Sequence, residues 1–119
     1  MPRLRDLFTT LPSPRSHVFW FNWAPGRPWS DMALSVQGDI YIGAYSVWDD
    51  PADDERMERW PVEQIRKLDA LSVGGQMNDE NMQAHPQPYL SAEATRRLEQ
   101  LRARHDPQQR FVSFLTSQG

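Results

Sequence analysis

A short helix is expected from Leu4 to Leu11, and Pro12-Ser13-Pro14 stops it, because proline fixes its own φ and keeps its predecessor out of helical backbone. Residues 1–16 therefore read as an amino-terminal arm or linker. From His17 to Trp23 the side chains alternate, with His17, Phe19, Phe21 and Trp23 on one face and Val18, Trp20 and Asn22 on the other. That is strand period with an aromatic bias. Pro25-Gly26-Arg27-Pro28 interrupts it. Met32, Leu34 and Val36 then mark a second strand, and Gln37-Gly38-Asp39 has hairpin-turn chemistry. A third strand runs through Ile40 to Trp48, with Ile40, Ile42 and Ala44 opposite Tyr41, Gly43 and Tyr45.

From Asp53 the period becomes helical. Met57, Trp60, Ile65, Leu68 and Leu71 share a face, and Asp53-Asp54-Glu55 suits the positive end of the helix dipole. Pro61 is a point for a kink or a split, and Gly74-Gly75 closes the segment. Gln76 to Tyr89 is a polar, proline-bearing loop. Ser91, preceded by Leu90, starts a last helix whose stripe is Ala94, Leu98 and Leu101, and His105-Asp106-Pro107 ends it. Phe111 to Leu115 reads as a terminal strand or packed tail, with Phe111 and Phe114 expected to be buried. The whole predicts one α+β domain over residues 1–119: a three- to four-stranded antiparallel sheet with two main helices packed on one face. The other face is left for a second copy or another domain.

Composition narrows the function. The 119 residues suit one domain with a modest core. Net charge is -3, and the thirteen basic residues are twelve Arg and Lys67, with no basic block able to track a phosphate backbone, so nucleic acid is excluded as a partner. With no cysteine, thiol catalysis, disulfides and thiolate metal sites are excluded too. No stretch approaches the roughly 20 apolar residues of a membrane span, and Met1 to Phe8 lacks an apolar signal core, so the expected setting is cytoplasmic, away from membranes. Five Trp, five Phe and three Tyr are a heavy aromatic load, part of which is available to a partner or ligand.

Three groups invite a functional reading. In the loop Gln76-Met77-Asn78-Asp79-Glu80-Asn81, the residues Asn78, Asp79 and Asn81 could orient a substrate hydroxyl; the plainer reading is turn chemistry, in which such side chains bond nearby backbone. Trp20, Asn22, Tyr41 and Tyr45 could line a sheet face over an apolar or phenolic ligand, or else form ordinary core or dimer contacts. His17, His85 and His105 are too scattered for metal-ligand spacing; His105 fits the last turn of its helix, and His85 reads as solvated. Asp53, Asp54, Glu55 and Glu63 read as solvated helix carboxylates rather than an acid–base pair. Arg96, Arg97, Arg102, Arg104 and Arg110 read as a solvated helix face. No catalytic residue and no metal is assigned.

Several stretches in this order resemble the carboxy-terminal end of bacterial FAD-linked oxidases of the vanillyl-alcohol oxidase and berberine-bridge type. They are Ser13-Pro14-Arg15-Ser16-His17, Met32-Ala33-Leu34-Ser35, Ile40-Tyr41-Ile42-Gly43-Ala44-Tyr45 into Trp48-Asp49-Asp50-Pro51, and His105-Asp106-Pro107-Gln108-Gln109-Arg110-Phe111. The resemblance implies a cap region, built on an antiparallel sheet, that covers a flavin held by a separate, larger part. It implies FAD in a complete enzyme and makes Asn78, Asp79, Asn81, Trp20, Asn22, Tyr41 and Tyr45 the substrate- or flavin-proximal candidates. The sequence has no Gly-rich pyrophosphate loop, so no cofactor is expected to bind this chain alone. The start at Met1 reads as a separately encoded remnant or subunit. The expected partner is a second copy of the chain, as a homodimer, or a separate flavin-binding subunit. The rival reading is a small homodimeric α+β binding module for an apolar or aromatic ligand, without redox chemistry.

Overall fold

A computed structural model describes residues 2–24, 26, 36, 38–76 and 81–112. Helix α1 (Pro2–Thr9) is followed by strand β1 (His17–Asn22), strand β2 (Ile40–Tyr45), helix α2 (Asp54–Arg66) and helix α3 (Ala92–His105), with short 3-10 turns at Pro51–Asp53 and Asp69–Leu71. β1 and β2 pair antiparallel from His17 opposite Tyr45 to Asn22 opposite Ile40. Beyond the strands, the amides of Trp23 and Ala24 both donate to the Asp39 carbonyl, at 2.8 and 3.1 Å.

The core lies between the hairpin and the first two helices. Leu7, Trp60 and Leu68 are buried against one another, with Leu4, Val18, Ile42 and Ala44 packed around them. Leu7 thus carries α1, within the segment expected as an arm, into the core. Polar links hold the connection that follows: the Trp60 indole donates to Thr10 Oγ1 at 3.2 Å and Arg56 to the Pro12 carbonyl at 2.9 Å. Ser13 Oγ donates to the Val47 carbonyl at 2.8 Å, while buried Ser16 accepts from the Val47 amide at 3.1 Å. Those bonds pair backbone groups of the connection that have no partner in a helix or strand.

Helix α2 runs unbroken through Pro61, although an interior proline removes a helical hydrogen bond and costs about 3 kcal/mol. Burial of Met57 and Trp60 on either side of that lost bond offsets the loss. The buried stripe is Met57, Trp60, Gln64 and Leu68, whereas Leu71 is 67% exposed. Leu71 leaves the stripe because the α-helix ends at Arg66 and the chain tightens into a 3-10 turn. Gln64 can be buried because Lys67 Nζ donates to its Oε1 at 2.9 Å.

The mixed α+β character holds, but the expected packing needs correction. Among the described residues the sheet has two strands. Residues 32–35 of the expected middle strand lie outside the described residues, and Val36 belongs to no strand. The helices on the sheet are α1 and α2, not α2 and α3. Ser91 caps α3 as expected, accepting from the Ala94 amide at 3.1 Å, yet α3 buries no residue. Its stripe of Ala94, Leu98 and Leu101 offers too little apolar area to anchor a helix. The tail expectation also fails at Phe111, which is 73% exposed; Phe114 lies outside the described residues. Among the described residues Phe111 is held by polar bonds, its amide to Asp106 Oδ2 at 3.0 Å and its carbonyl to Arg102 at 3.1 Å.

The core is small: among the described residues its buried hydrophobic side chains are Leu7, Met57, Trp60, Leu68 and Met82.

Candidate functional site

The pairing register decides what each hairpin face presents. Residues directly opposite share a face, so Val18, Trp20 and Asn22 join Ala44, Ile42 and Ile40, while His17, Phe19 and Phe21 join Tyr45, Gly43 and Tyr41. The first set holds the aliphatic residues that pack on α1 and α2. The second is a ladder of rings. His17 stacks on Tyr45 with centroids 5.1 Å apart, and Phe19 lies 6.2 Å from both Phe21 and Tyr41. Trp23 extends the ladder, 5.4 Å from Phe21.

Gly43 sits in the middle of this face under the Tyr45 ring. A Cβ there would stand 2.8 Å from Tyr45 Cε2, so glycine lets the ring lie flat on the strand. Phe19 and Phe21 remain 47% and 44% exposed. The twelve strand residues include no Asp, Glu, Lys or Arg, and the face holds no nucleophile with an adjacent base. Its chemistry is ring stacking and apolar contact.

The four hairpin residues singled out by sequence are thereby divided. Tyr41 and Tyr45 lie on the aromatic face. Trp20 and Asn22 lie on the helix side, where Trp20 is 6.2 Å from Phe8 and its indole donates to Asn22 Oδ1 at 3.2 Å. One hairpin therefore cannot line a single cavity with Trp20, Tyr41 and Tyr45. Phe19 and Phe21 are the residues not singled out; asking which parity of the two strands carries the aliphatic side chains would have found them.

In the loop, Asn78 and Asp79 lie outside the described residues. Asn81 is exposed and its Oδ1 accepts from the Ala84 amide at 3.1 Å, which is turn chemistry. His85 is not solvated: its side chain is 13% exposed and its Nε2 stands 2.9 Å from Asp69 Oδ1. With Arg66 donating to the Ala84 carbonyl, this pair fastens residues 81–87 to the end of α2. Burial raises the Tyr89 phenol above its ordinary value of 10. Among the described residues no three His, Asp or Glu side chains cluster as metal ligands, and no helix is long and apolar enough to cross a membrane.

Comparison with known proteins gives the chemistry a context. The chain is 25% identical over 115 residues to the FAD-linked oxidoreductase nodO of Hypoxylon pulicicidum, covering 95% of this chain and 26% of that protein. It is 30% identical over 109 residues to ptmO of Penicillium ochrochloron and 29% identical over 109 residues to penO of Penicillium crustosum, both FAD-linked oxidoreductases, covering 90% of this chain and 24% of each relative. The chain is related to a region of FAD-linked oxidoreductases. It spans about a quarter of the length of the curated relatives it matches. These relatives are fungal and do not support the bacterial assignment expected from the sequence. No protein-family model and no solved structure matches the chain.

Neither α2 nor α3 offers a pyrophosphate site at its start. Free amides at a helix amino terminus, often behind a Gly-rich turn, are a common way to hold a pyrophosphate. The start of α2 instead carries Asp50, Asp53, Asp54 and Glu55, and Asp50 already accepts from the Ala52 amide at 2.9 Å. Four carboxylates would repel a phosphate. Ser91 occupies the corresponding position of α3.

Proposed function

We propose that this chain is the carboxy-terminal, cap-like and substrate-side part of a FAD-linked oxidoreductase of the vanillyl-alcohol oxidase and berberine-bridge type. It does no redox chemistry until joined to, or met by, a flavin-binding part. The carrying observation is similarity over 90–95% of the chain to only about a quarter of each FAD-linked relative. Two further features support the reading: the carboxylates around the start of α2, which disfavour a pyrophosphate there, and a small core that leaves α3 with no buried residue. In the complete enzyme FAD supplies the electron acceptor. This chain supplies part of the substrate-side cover.

Two measurements test the proposal. Titrating the purified chain with FAD should leave the flavin spectrum and fluorescence unchanged; a stoichiometric yellow complex, or oxidase turnover by the chain alone, would overturn it. In a relative such as ptmO, replacing the matching quarter with this chain should preserve flavin-dependent turnover. A chimaera that folds and holds FAD yet turns over no faster than the same relative lacking that quarter would also overturn it.

A further inference from the structure

We propose that the aromatic face of the β1–β2 hairpin is a self-association surface that joins two copies of this chain, with Phe19 and Phe21 at its centre. The inference does not depend on the enzymatic reading above. It rests on the make-up of that face: Phe19 and Phe21 stand side by side nearly half in water, whereas the aliphatic residues Val18, Ile42 and Ala44 of the other face pack toward α1 and α2 and leave, of its apolar residues, only Trp20 and Ile40 comparably exposed.

The area can be set against what a dimer needs. At about 200 Å² per aromatic side chain, the 47% and 44% exposures of Phe19 and Phe21 leave roughly 180 Å² uncovered. Exposed His17 and half-buried Trp23, Tyr41 and Tyr45 bring the face to on the order of 400 Å². A stable dimer commonly buries about 800 Å² per partner, so this face supplies about half and belongs to the small, reversible class. Dissociation in the tens of micromolar is the expected range, set by an apolar centre working against the entropy of association.

A second copy suits the face for a further reason. The twelve strand residues include no side chain with a fixed charge, so meeting itself requires no charge to be desolvated and sets no like charges together. A two-fold axis near Phe19 places the His17–Tyr45 end of one copy over the Phe21–Tyr41–Trp23 end of the other, ring against ring. The carboxylates of α2, which carry much of the acidic charge, belong to the element packed on the opposite face of the hairpin.

Sedimentation equilibrium of the full chain between about 2 and 200 µM tests this, spanning the expected dissociation range. The apparent mass should rise from one chain to two. Phe19→Asp should weaken association at least tenfold while leaving the far-UV circular dichroism of the folded monomer, taken well below its melting temperature, unchanged. Phe111→Asp, at an exposed aromatic outside the hairpin, should leave association as it was. A monomer at every concentration, or a dimer indifferent to Phe19→Asp, overturns the proposal. If removing residues 113–119 strengthens association tenfold, the chain's own end is the occupant and the proposal is equally overturned.

Discussion

Replacing Leu7 by alanine tests whether α1 is part of the fold or an appendage. Leu7 is 1% exposed and packs on Trp60 and Leu68. Removing three buried carbons forfeits about 2.4 kcal/mol of transfer free energy, and the cavity left behind raises the loss to about 3–4 kcal/mol. For 119 residues the unfolding entropy is about 0.25 kcal/mol per kelvin, so the melting temperature should fall by roughly 12–16 °C. Thermal unfolding followed by circular dichroism at 222 nm, at a concentration where the chain is monomeric, reads this directly. Leu11→Ala is the control: Leu11 is 42% exposed and the change should stay within about 0.5 kcal/mol. If Leu7→Ala lowers the melting temperature by less than about 4 °C, no more than twice the control, α1 does not belong to the core.

Gly74→Ala should destabilise by about 2–3 kcal/mol in urea unfolding, because the glycine has φ +148 and a Cβ there would stand 2.0 Å from the Pro88 carbonyl oxygen; an unchanged midpoint would contradict that close approach. Gly43→Ala meets only the movable Tyr45 ring, so it should cost no more than about 1 kcal/mol while changing the near-UV signal of the tyrosines. Ser91→Ala removes the cap of a helix with no buried residue and should cost about 1 kcal/mol, seen as reduced helicity. Phe111→Ala should leave stability within about 0.5 kcal/mol, since the ring is 73% exposed.

What was legible in the sequence was whatever depended on local period. The alternation of His17 to Trp23 and of Ile40 to Tyr45 marks two strands, and Met57, Trp60 and Leu68 mark α2. Three kinds of information were out of reach. Register decides that Trp20 and Tyr41 face opposite ways, and neither strand alone carries it. Hydropathy draws Ile65 onto the α2 stripe, while helical spacing from Met57 and Trp60 leads to Gln64, whose burial depends on a bond from Lys67. The pairing of His85 with Asp69 joins residues sixteen apart through a turn, so local spacing suggests a solvated histidine instead.

The two associations proposed for this chain use different surfaces. A second copy on the hairpin face would remove on the order of 400 Å² there. The proposed self-association would cover the aromatic ladder but not α3, which buries no residue and leaves Leu101 and Phe111 in water. Those residues lie outside the hairpin, so a face-to-face dimer has no reason to cover them. Under the proposed function a larger flavin-binding part would, and the relatives devote about three quarters of their length to sequence beyond the matching region. Phe19→Asp should accordingly abolish the dimer without touching whatever docks on α3. In the chimaera, Leu101→Asp should weaken the hold of this segment while the isolated chain keeps its melting temperature. A Leu101→Asp loss that is equal in the isolated chain and in the chimaera would place the role of α3 inside this segment, and the larger partner would then have no claim on it.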